Sequence, residues 1–253
     1  MRRPVQMVLL VLSGLALLHA SLLTDLYLRY VKPGMRPMLI ASGALLLVLG
    51  AAEVWSYWRS RGGHDHGAPD SEGGGHGHDH STTPRVAWLL LLPALSLLFY
   101  APPTLGAYTA SRAEPKAVAK VEEQDDFEPL PATSPLPMTL TDFTERVQQD
   151  RKQAIKGRSV QLTGFVTPVK GGDGWELTRI IFTCCAADAQ SVKVRVHGTP
   201  ALKADTWVAV TGTWHPGGTL GTSSAPAALD ASDVKKIDRP VNYYQDALPL
   251  NPS

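Results

Sequence analysis

The chain has 253 residues and a formal net charge of +1, with 24 Lys and Arg against 23 Asp and Glu. This balance argues against a nucleic-acid-binding function, which depends on an excess of basic charge. Apolar residues are unevenly distributed, since long apolar blocks fill the first 111 residues and the remainder is mixed and polar.

Three apolar blocks are long enough to cross a bilayer, which requires about 20 mostly apolar residues. Because none alternates as a strand would, and backbone groups in lipid must bond internally, each is predicted to be a transmembrane helix. A signal peptide is the alternative for the first block, but its apolar stretch exceeds the roughly 7–15 residues of a signal core. The three predicted spans are Val5–Leu23, Met38–Trp58 and Val86–Leu105.

Lys and Arg residues near the span ends determine the predicted orientation. The set that includes Arg2, Arg59 and Arg85 lies closest to the spans, which favours a cytoplasmic amino terminus and a cytoplasmic 59–85 loop. The sequence therefore predicts a multi-pass protein of the cell membrane whose residues after Leu105 are extracytoplasmic.

The loop at 59–85 contains GGHDHGAPDSEGGGHGHDHSTTP and has no apolar periodicity, so it is predicted to be disordered without a ligand. Its clustered imidazoles and carboxylates can converge on a divalent cation such as Zn²⁺, Ni²⁺, Co²⁺ or Cu²⁺. The alternative is a solvated low-complexity loop that binds metal only incidentally. The candidate ligands are His64, Asp65, His66, His76, His78, Asp79 and His80.

The polar half begins with a predicted linker at 112–138, which is rich in Pro, Ala and mixed charges. An amphipathic helix is predicted at Thr139–Lys156, capped by Thr141 or Asp142. The apolar stripe of this helix consists of Phe143, Val147 and Ile155.

From Arg158 the apolar period changes to two, and turn signals separate five strand candidates before residue 240. Gly164 lies where the first strand could bend sharply. These features predict an OB-fold-like five-stranded barrel preceded by one helix, with a small sandwich as the alternative. The domain is expected to occupy 139–240 and to be followed by a tail at 241–253.

Two adjacent cysteines follow the second strand candidate. In a continuing strand their side chains would point to opposite faces, but the following Ala-Ala-Asp-Ala is typical of a helical turn. In such a turn both sulfurs can face one side, with Asp188 one helical turn after Cys184. Cys184, Cys185 and Asp188 are therefore a candidate thiol or soft-metal site. A strained vicinal disulfide and simple packing of one cysteine are the alternatives.

Three stretches follow the amino-terminal spans and the His-rich loop: GRSVQLTGFV at 157–166, CCAADA at 184–189 and WVAVTG at 207–212. This arrangement resembles the YcgQ-like family of bacterial permease subunits. The resemblance implies an accessory subunit that works with a larger polytopic permease in the membrane. The resemblance also suggests a metal or metalloid as the transported solute.

The leading functional hypothesis is thus a non-enzymatic accessory subunit of a membrane permease. No hydrolase triad, phosphate loop or paired-carboxylate signature is present in the barrel segments, so no catalytic residue is predicted. The second hypothesis is a vicinal-thiol redox or soft-metal-handling membrane protein, which for redox chemistry requires a lowered thiol pKa. The available cations for that effect are Arg179, Lys193 and Arg195. The third hypothesis is a structural envelope protein that recognises another protein.

Overall fold

The computed structural model describes residues 2–61, 104–114, 127–169 and 174–248. The chain divides into two compact units, Met1–Thr104 and Leu105–Ser253. The His-rich candidate ligands and residues 86–103 of the third predicted span lie outside the described residues, so both stay predictions.

The first unit contains two long helices, α1 (Arg2–Leu18) and α2 (Arg36–Arg61). Within the described residues, two stretches are long and apolar enough to cross a membrane, Gln6–Leu23 and Pro33–Arg59, and few of their residues are buried. They correspond to the first two of the three predicted spans. The helices are joined by a π-turn and two 3₁₀ turns at His19–Leu23, Leu26–Arg29 and Pro33–Met35.

Glycines let α1 and α2 approach each other closely. A Cβ on Gly14 would lie 2.9 Å from the Gly43 carbonyl oxygen, so no larger residue fits without a shift. Small residues at such contacts are typical of membrane helix pairs, where backbone proximity replaces the hydrophobic effect. At the end of the hairpin, Arg36 Nε donates to the Ser21 carbonyl at 2.8 Å.

The second unit is built on a six-stranded sheet, of which five strands form a closed barrel. The order around the barrel is β2-β3-β4-β6-β5, and β5 pairs again with β2. All barrel contacts are antiparallel except that between β4 and β6. The strands are β1 (Leu136–Pro137), β2 (Val160–Thr167), β3 (Trp175–Ile181), β4 (Gln190–His197), β5 (Trp207–Trp214) and β6 (Ala228–Lys236).

The barrel closes because β2 changes partner at Gly164. The first part of β2, Val160–Phe165, pairs with β5, whereas Phe165–Thr167 pairs with β3. A Cβ on Gly164 would lie 2.7 Å from the Thr178 carbonyl oxygen, so only glycine permits this approach. The sharp bend expected at this glycine is present.

The barrel interior is apolar because alternate residues of each strand point inward. Fully burying a large apolar side chain contributes about 1.5–3 kcal/mol, so this interior is the main source of stability. Members of the interior include Val160, Leu162, Val166, Trp175, Leu177, Val194, Val208, Val210 and Leu229.

The helix before the barrel, α4 (Leu140–Gln149), is shorter than predicted. Its cap is Thr139 rather than Thr141 or Asp142, since Thr139 Oγ1 accepts a hydrogen bond from the Asp142 amide at 3.0 Å. The helix ends at Asp150, whose carboxylate accepts hydrogen bonds from the amides of Lys152 and Ala154. Ile155 is fully buried as predicted, but it reaches the core from the turn that follows.

A second apolar cluster, here named the outer cluster, covers the outside of one end of the barrel. The short helix α3 (Ala107–Ala110) and the segment around Tyr244 lie over this end. The outer cluster consists of Ala107, Ala110, Phe165, Ile180, Phe182, Trp207 and Tyr244.

The described part of the tail packs against the barrel through a buried arginine and a carboxylate. Arg179 is 1 % exposed and donates from Nε to the Thr163 carbonyl at 2.9 Å and from Nη2 to the Ala247 carbonyl at 3.1 Å. Burial lowers the pKa of Arg179 to about 10, and the nearby Asp246 opposes that shift. Asp246 also accepts hydrogen bonds from the first two amides of α4, at 3.2 and 2.6 Å.

Candidate functional site

The two cysteines lie in an exposed turn that is anchored at both ends. After β3 ends at Ile181, Phe182 stacks on Tyr244 with ring centroids 4.0 Å apart, and its amide donates to the Tyr244 carbonyl. Ala186 and Ala189 pack against the outer cluster before β4 begins. The segment that follows Phe182 is named the cysteine turn and is defined here as Thr183–Asp188.

Asp188 organises the cysteine turn by accepting hydrogen bonds from three backbone amides. Its Oδ1 accepts from Thr183 at 2.8 Å, and its Oδ2 accepts from Cys184 at 2.7 Å and from Cys185 at 3.4 Å. Cys185 caps the 3₁₀ turn Ala186–Asp188 in a capping box, where its side chain takes the position usually held by serine or threonine. The local sequence therefore supplies both the turn and the residues that stabilise it.

The turn brings two sulfurs and a carboxylate together. One ligand atom from each of Cys184, Cys185 and Asp188 lies within 4.8 Å of the other two. Cys184 is exposed, Cys185 is partly exposed, and both are free thiols rather than a vicinal disulfide. Because the chain leaves the extended strand at this point, the two side chains converge instead of pointing to opposite faces.

The carboxylate controls the protonation of the neighbouring thiol. A hydrogen bond to Asp188, followed by one with Cys185, raises the pKa of Cys184 to about 11. The same hydrogen bond from the Cys184 thiol, supported by the three backbone amides, lowers the pKa of Asp188. Cys184 is therefore a protonated thiol beside an ionised carboxylate at neutral pH.

The three cations considered for lowering the thiol pKa are engaged elsewhere. Arg179 is buried over the Trp207 ring, with its guanidinium carbon 4.9 Å from the ring centroid. Lys193 and Arg195 both pair with Glu176, at 3.5 and 4.0 Å. The pKa of Cys184 is therefore governed by Asp188 and Cys185 and moves upward, which is the opposite of the shift that an activated redox thiol needs.

Sequence reasoning missed the partners that fix the cysteine turn. Tyr244 lies far along the chain from Phe182, and no spacing rule connects them. Sequence reasoning also missed a stacked pair of imidazoles, His197 and His215, whose ring centroids are 4.2 Å apart. His215 Nδ1 lies 2.7 Å from Asp230 Oδ1. Across the ranges that the structure describes, however, only the cysteine turn brings three potential metal ligands this close together.

Comparison with known proteins gives one match. Residues 132–245 match the family described as the DUF1980 C-terminal domain. A DUF1980 C-terminal domain is thus present in this chain. The matched region spans β1, α4, the barrel and the cysteine turn, and it is consistent with the YcgQ-like resemblance. No curated protein and no solved structure matches the chain.

Proposed function

We propose that this chain is a membrane-anchored, non-enzymatic accessory subunit of a permease, and that its DUF1980 domain binds a thiophilic metal ion. The observation that carries the metal site is the convergence of Cys184, Cys185 and Asp188 ligand atoms within 4.8 Å. Two thiols and a carboxylate form a ligand set suited to Zn²⁺ or Cd²⁺.

The distances suit such an ion after a small adjustment. A tetrahedral zinc with bonds of about 2.3 Å to sulfur holds two sulfurs about 3.8 Å apart. Exposed side chains on a turn can make that change without disturbing the barrel interior. Three protein ligands leave the fourth tetrahedral position open to water or another ligand.

The raised pKa of Cys184 argues against thiol exchange as the chemistry of this turn. A redox thiol requires a lowered pKa, whereas Asp188 raises the pKa of Cys184 to about 11. A cation that replaces the thiol proton also neutralises the adjacent carboxylate. The arrangement thus supports the soft-metal form of the second hypothesis and gives no support to its redox form.

Membrane anchoring is supported by the two apolar helices in the first unit. The third span, the extracytoplasmic position of the barrel and the polytopic permease partner come from the sequence and from the resemblance. The barrel order, with β4 and β6 as its one parallel pair, supports the OB-fold interpretation. The His-rich loop is proposed to bind or buffer a divalent metal on the cytoplasmic side.

Cadmium titration of the reduced full-length chain in detergent tests the metal site. We expect one equivalent of Cd²⁺ to produce a thiolate-to-metal charge-transfer band in the ultraviolet, and Cys184→Ser/Cys185→Ser to abolish it. A variant with alanine at His64, His66, His76, His78 and His80 is the matched control and should keep the band, since imidazole ligands do not produce it. A wild-type protein without the band would refute the site.

Affinity purification from native membranes tests the subunit proposal separately. We expect a larger polytopic protein to co-purify with the chain at native expression. If the chain is recovered without such a partner, the accessory-subunit function is wrong even where the metal site holds.

A further inference from the structure

The exposed large apolar side chains of the described second unit gather on the segments that cover the outer cluster. Tyr108 in α3 is 69 % exposed, and Val241, close to Tyr244 in the tail, is 74 % exposed. Leu202 precedes Ala204, which packs against the outer cluster, and Leu248 accepts a hydrogen bond from Asn242 in the same tail. Exposed apolar side chains that form a continuous surface mark interaction sites for proteins or membranes.

The chain is fastened to this end of the barrel directly after the third predicted span. That span ends at Leu105, whose carbonyl accepts a hydrogen bond from Tyr244 Oη at 3.4 Å. The Ala107 amide donates to Asp205 Oδ1 at 2.5 Å, and Lys193 Nζ donates to the Ala113 carbonyl at 2.9 Å. Two extended residues reach at most about 7 Å, so a membrane span that ended at Leu105 would hold this end of the barrel close to the bilayer.

The same surface carries the side chains that favour a membrane interface. Arg112 lies over the Tyr108 ring at 4.0 Å, and Arg239 lies over the Tyr243 ring at 4.5 Å. Tyrosines concentrate at the level of the lipid headgroups, and arginines bind anionic phosphate groups there. Aromatic, aliphatic and basic side chains are thus combined on one end of the barrel.

We propose that the end of the barrel bearing the outer cluster rests on the surface of the phospholipid bilayer. Tyr108 and Val241 enter the interface, while Arg112 and Arg239 bind anionic headgroups. The inference rests on the membrane anchoring in the proposed function. Ala186 and Ala189 pack against the same cluster, so this seating also places the cysteine turn at the membrane surface, where an ion entering or leaving a permease would pass.

Spin labelling in lipid vesicles tests the seating. Single cysteines are introduced as Tyr108→Cys, Val241→Cys and Ser223→Cys in a full-length Cys184→Ser/Cys185→Ser background, and each is spin-labelled. Ser223 is the control because it is exposed in the loop after Trp214, and β5 begins in the outer cluster at Trp207 and ends at Trp214. The proteins are reconstituted in phosphatidylcholine vesicles with and without phosphatidylglycerol, and collisions with oxygen and with a water-soluble nickel chelate are measured.

We expect labels at 108 and 241 to show a several-fold loss of nickel collisions relative to the label at 223. Adding Arg112→Gln and Arg239→Gln should reduce that protection, mainly in the vesicles that contain phosphatidylglycerol. Equal nickel access at all three positions would overturn the seating, and so would protection that depends on protein density, since it would indicate a second copy of the chain. The background lacks both thiols, so the result is independent of whether the metal site exists.

Discussion

Two carboxylates in the second unit, Asp246 and Asp188, both accept hydrogen bonds from backbone amides, but their surroundings differ. Asp246 accepts hydrogen bonds from the amides that begin α4, and Asp188 accepts them from the amides of the cysteine turn. Asp246 also faces the buried guanidinium of Arg179. Within the described residues, Asp188 has no such cation and lies beside two thiols.

The difference shows that one hydrogen-bonding pattern can occur beside a buried counter-charge or at an exposed position that is proposed to bind a metal. Asp246 lies near the cation Arg179, which is buried and binds the tail to the barrel. Asp188 has no such cation among the described residues. It keeps the Cys184 thiol protonated and leaves a negative charge at an exposed position. That charge, together with two sulfurs, is what a metal ion can satisfy.

Removal of Asp246 should have the largest effect on stability. Asp246→Ala leaves α4 without two amide acceptors and Arg179 without its nearest counter-charge, and we expect the free energy of unfolding to fall by about 2–3 kcal/mol. Urea unfolding of the full chain in detergent, followed by tryptophan fluorescence, measures the change. The exposed Asp233→Ala is the matched control. Asp188→Ala should lower the free energy of unfolding by less than Asp246→Ala, because its amide partners lie in an exposed turn. Equal losses of unfolding free energy for Asp246→Ala and Asp188→Ala would show that the two carboxylates contribute alike to stability.

Removal of the charge at Asp188 should make Cys184 more reactive. Asp188→Asn removes the carboxylate charge that, together with the hydrogen bond to Cys185, raises the pKa of Cys184 from 9.0 to about 11. The thiolate fraction at pH 7.5 rises, while the lower basicity of the thiolate partly offsets the gain, so iodoacetamide alkylation should accelerate by about tenfold. Mass spectrometry of the Cys184 peptide follows the reaction, with Asp233→Asn as control. An unchanged rate would show that Asp188 does not control this thiol.

Metal affinity should increase with pH. Because the pKa of Cys184 is about 11, its thiol is protonated from pH 6 to pH 8 and must lose the proton when the ion binds. The apparent affinity for Cd²⁺ should therefore rise about tenfold per pH unit for each thiol proton released. Competition with a chelator of known pH dependence measures this slope. A flat profile across that range would contradict proton exchange at the cysteine turn.

The smallest expected effect on stability concerns Thr139, which together with Asp246 accepts hydrogen bonds from the first amides of α4. Thr139→Ala removes one acceptor, for the Asp142 amide, and should lower the free energy of unfolding by about 1 kcal/mol. Thr141→Ala is the control, because it is the backbone amide of Thr141 that binds Asp246. If Thr139→Ala costs more than Asp246→Ala, the tail contributes less to the helix start than its contacts indicate.

Local patterns predicted most of the fold's elements. Period-two alternation identified the strands, Gly164 marked the bend that closes the barrel, and Ala-Ala-Asp-Ala marked the turn after the cysteines. The end of α4 was predicted too late in the chain. Ile155 lies at helical spacing from Phe143 and Val147, but the turn after Asp150 is what brings it into the core. The cap was misplaced because threonines and an aspartate occur together, and only the backbone geometry distinguishes Thr139 from its neighbours.

The sequence by itself determined the apolar helices, the alternating strands and the grouping of the three residues proposed to bind a metal, since these depend on short-range periodicity and residue chemistry. Only the tertiary structure decided that Phe182 stacks on Tyr244, that Arg179 is buried beside Asp246, and that no available cation lowers the pKa of Cys184. Those contacts join residues far apart in the chain, and their energies depend on distance and burial, which no local pattern encodes.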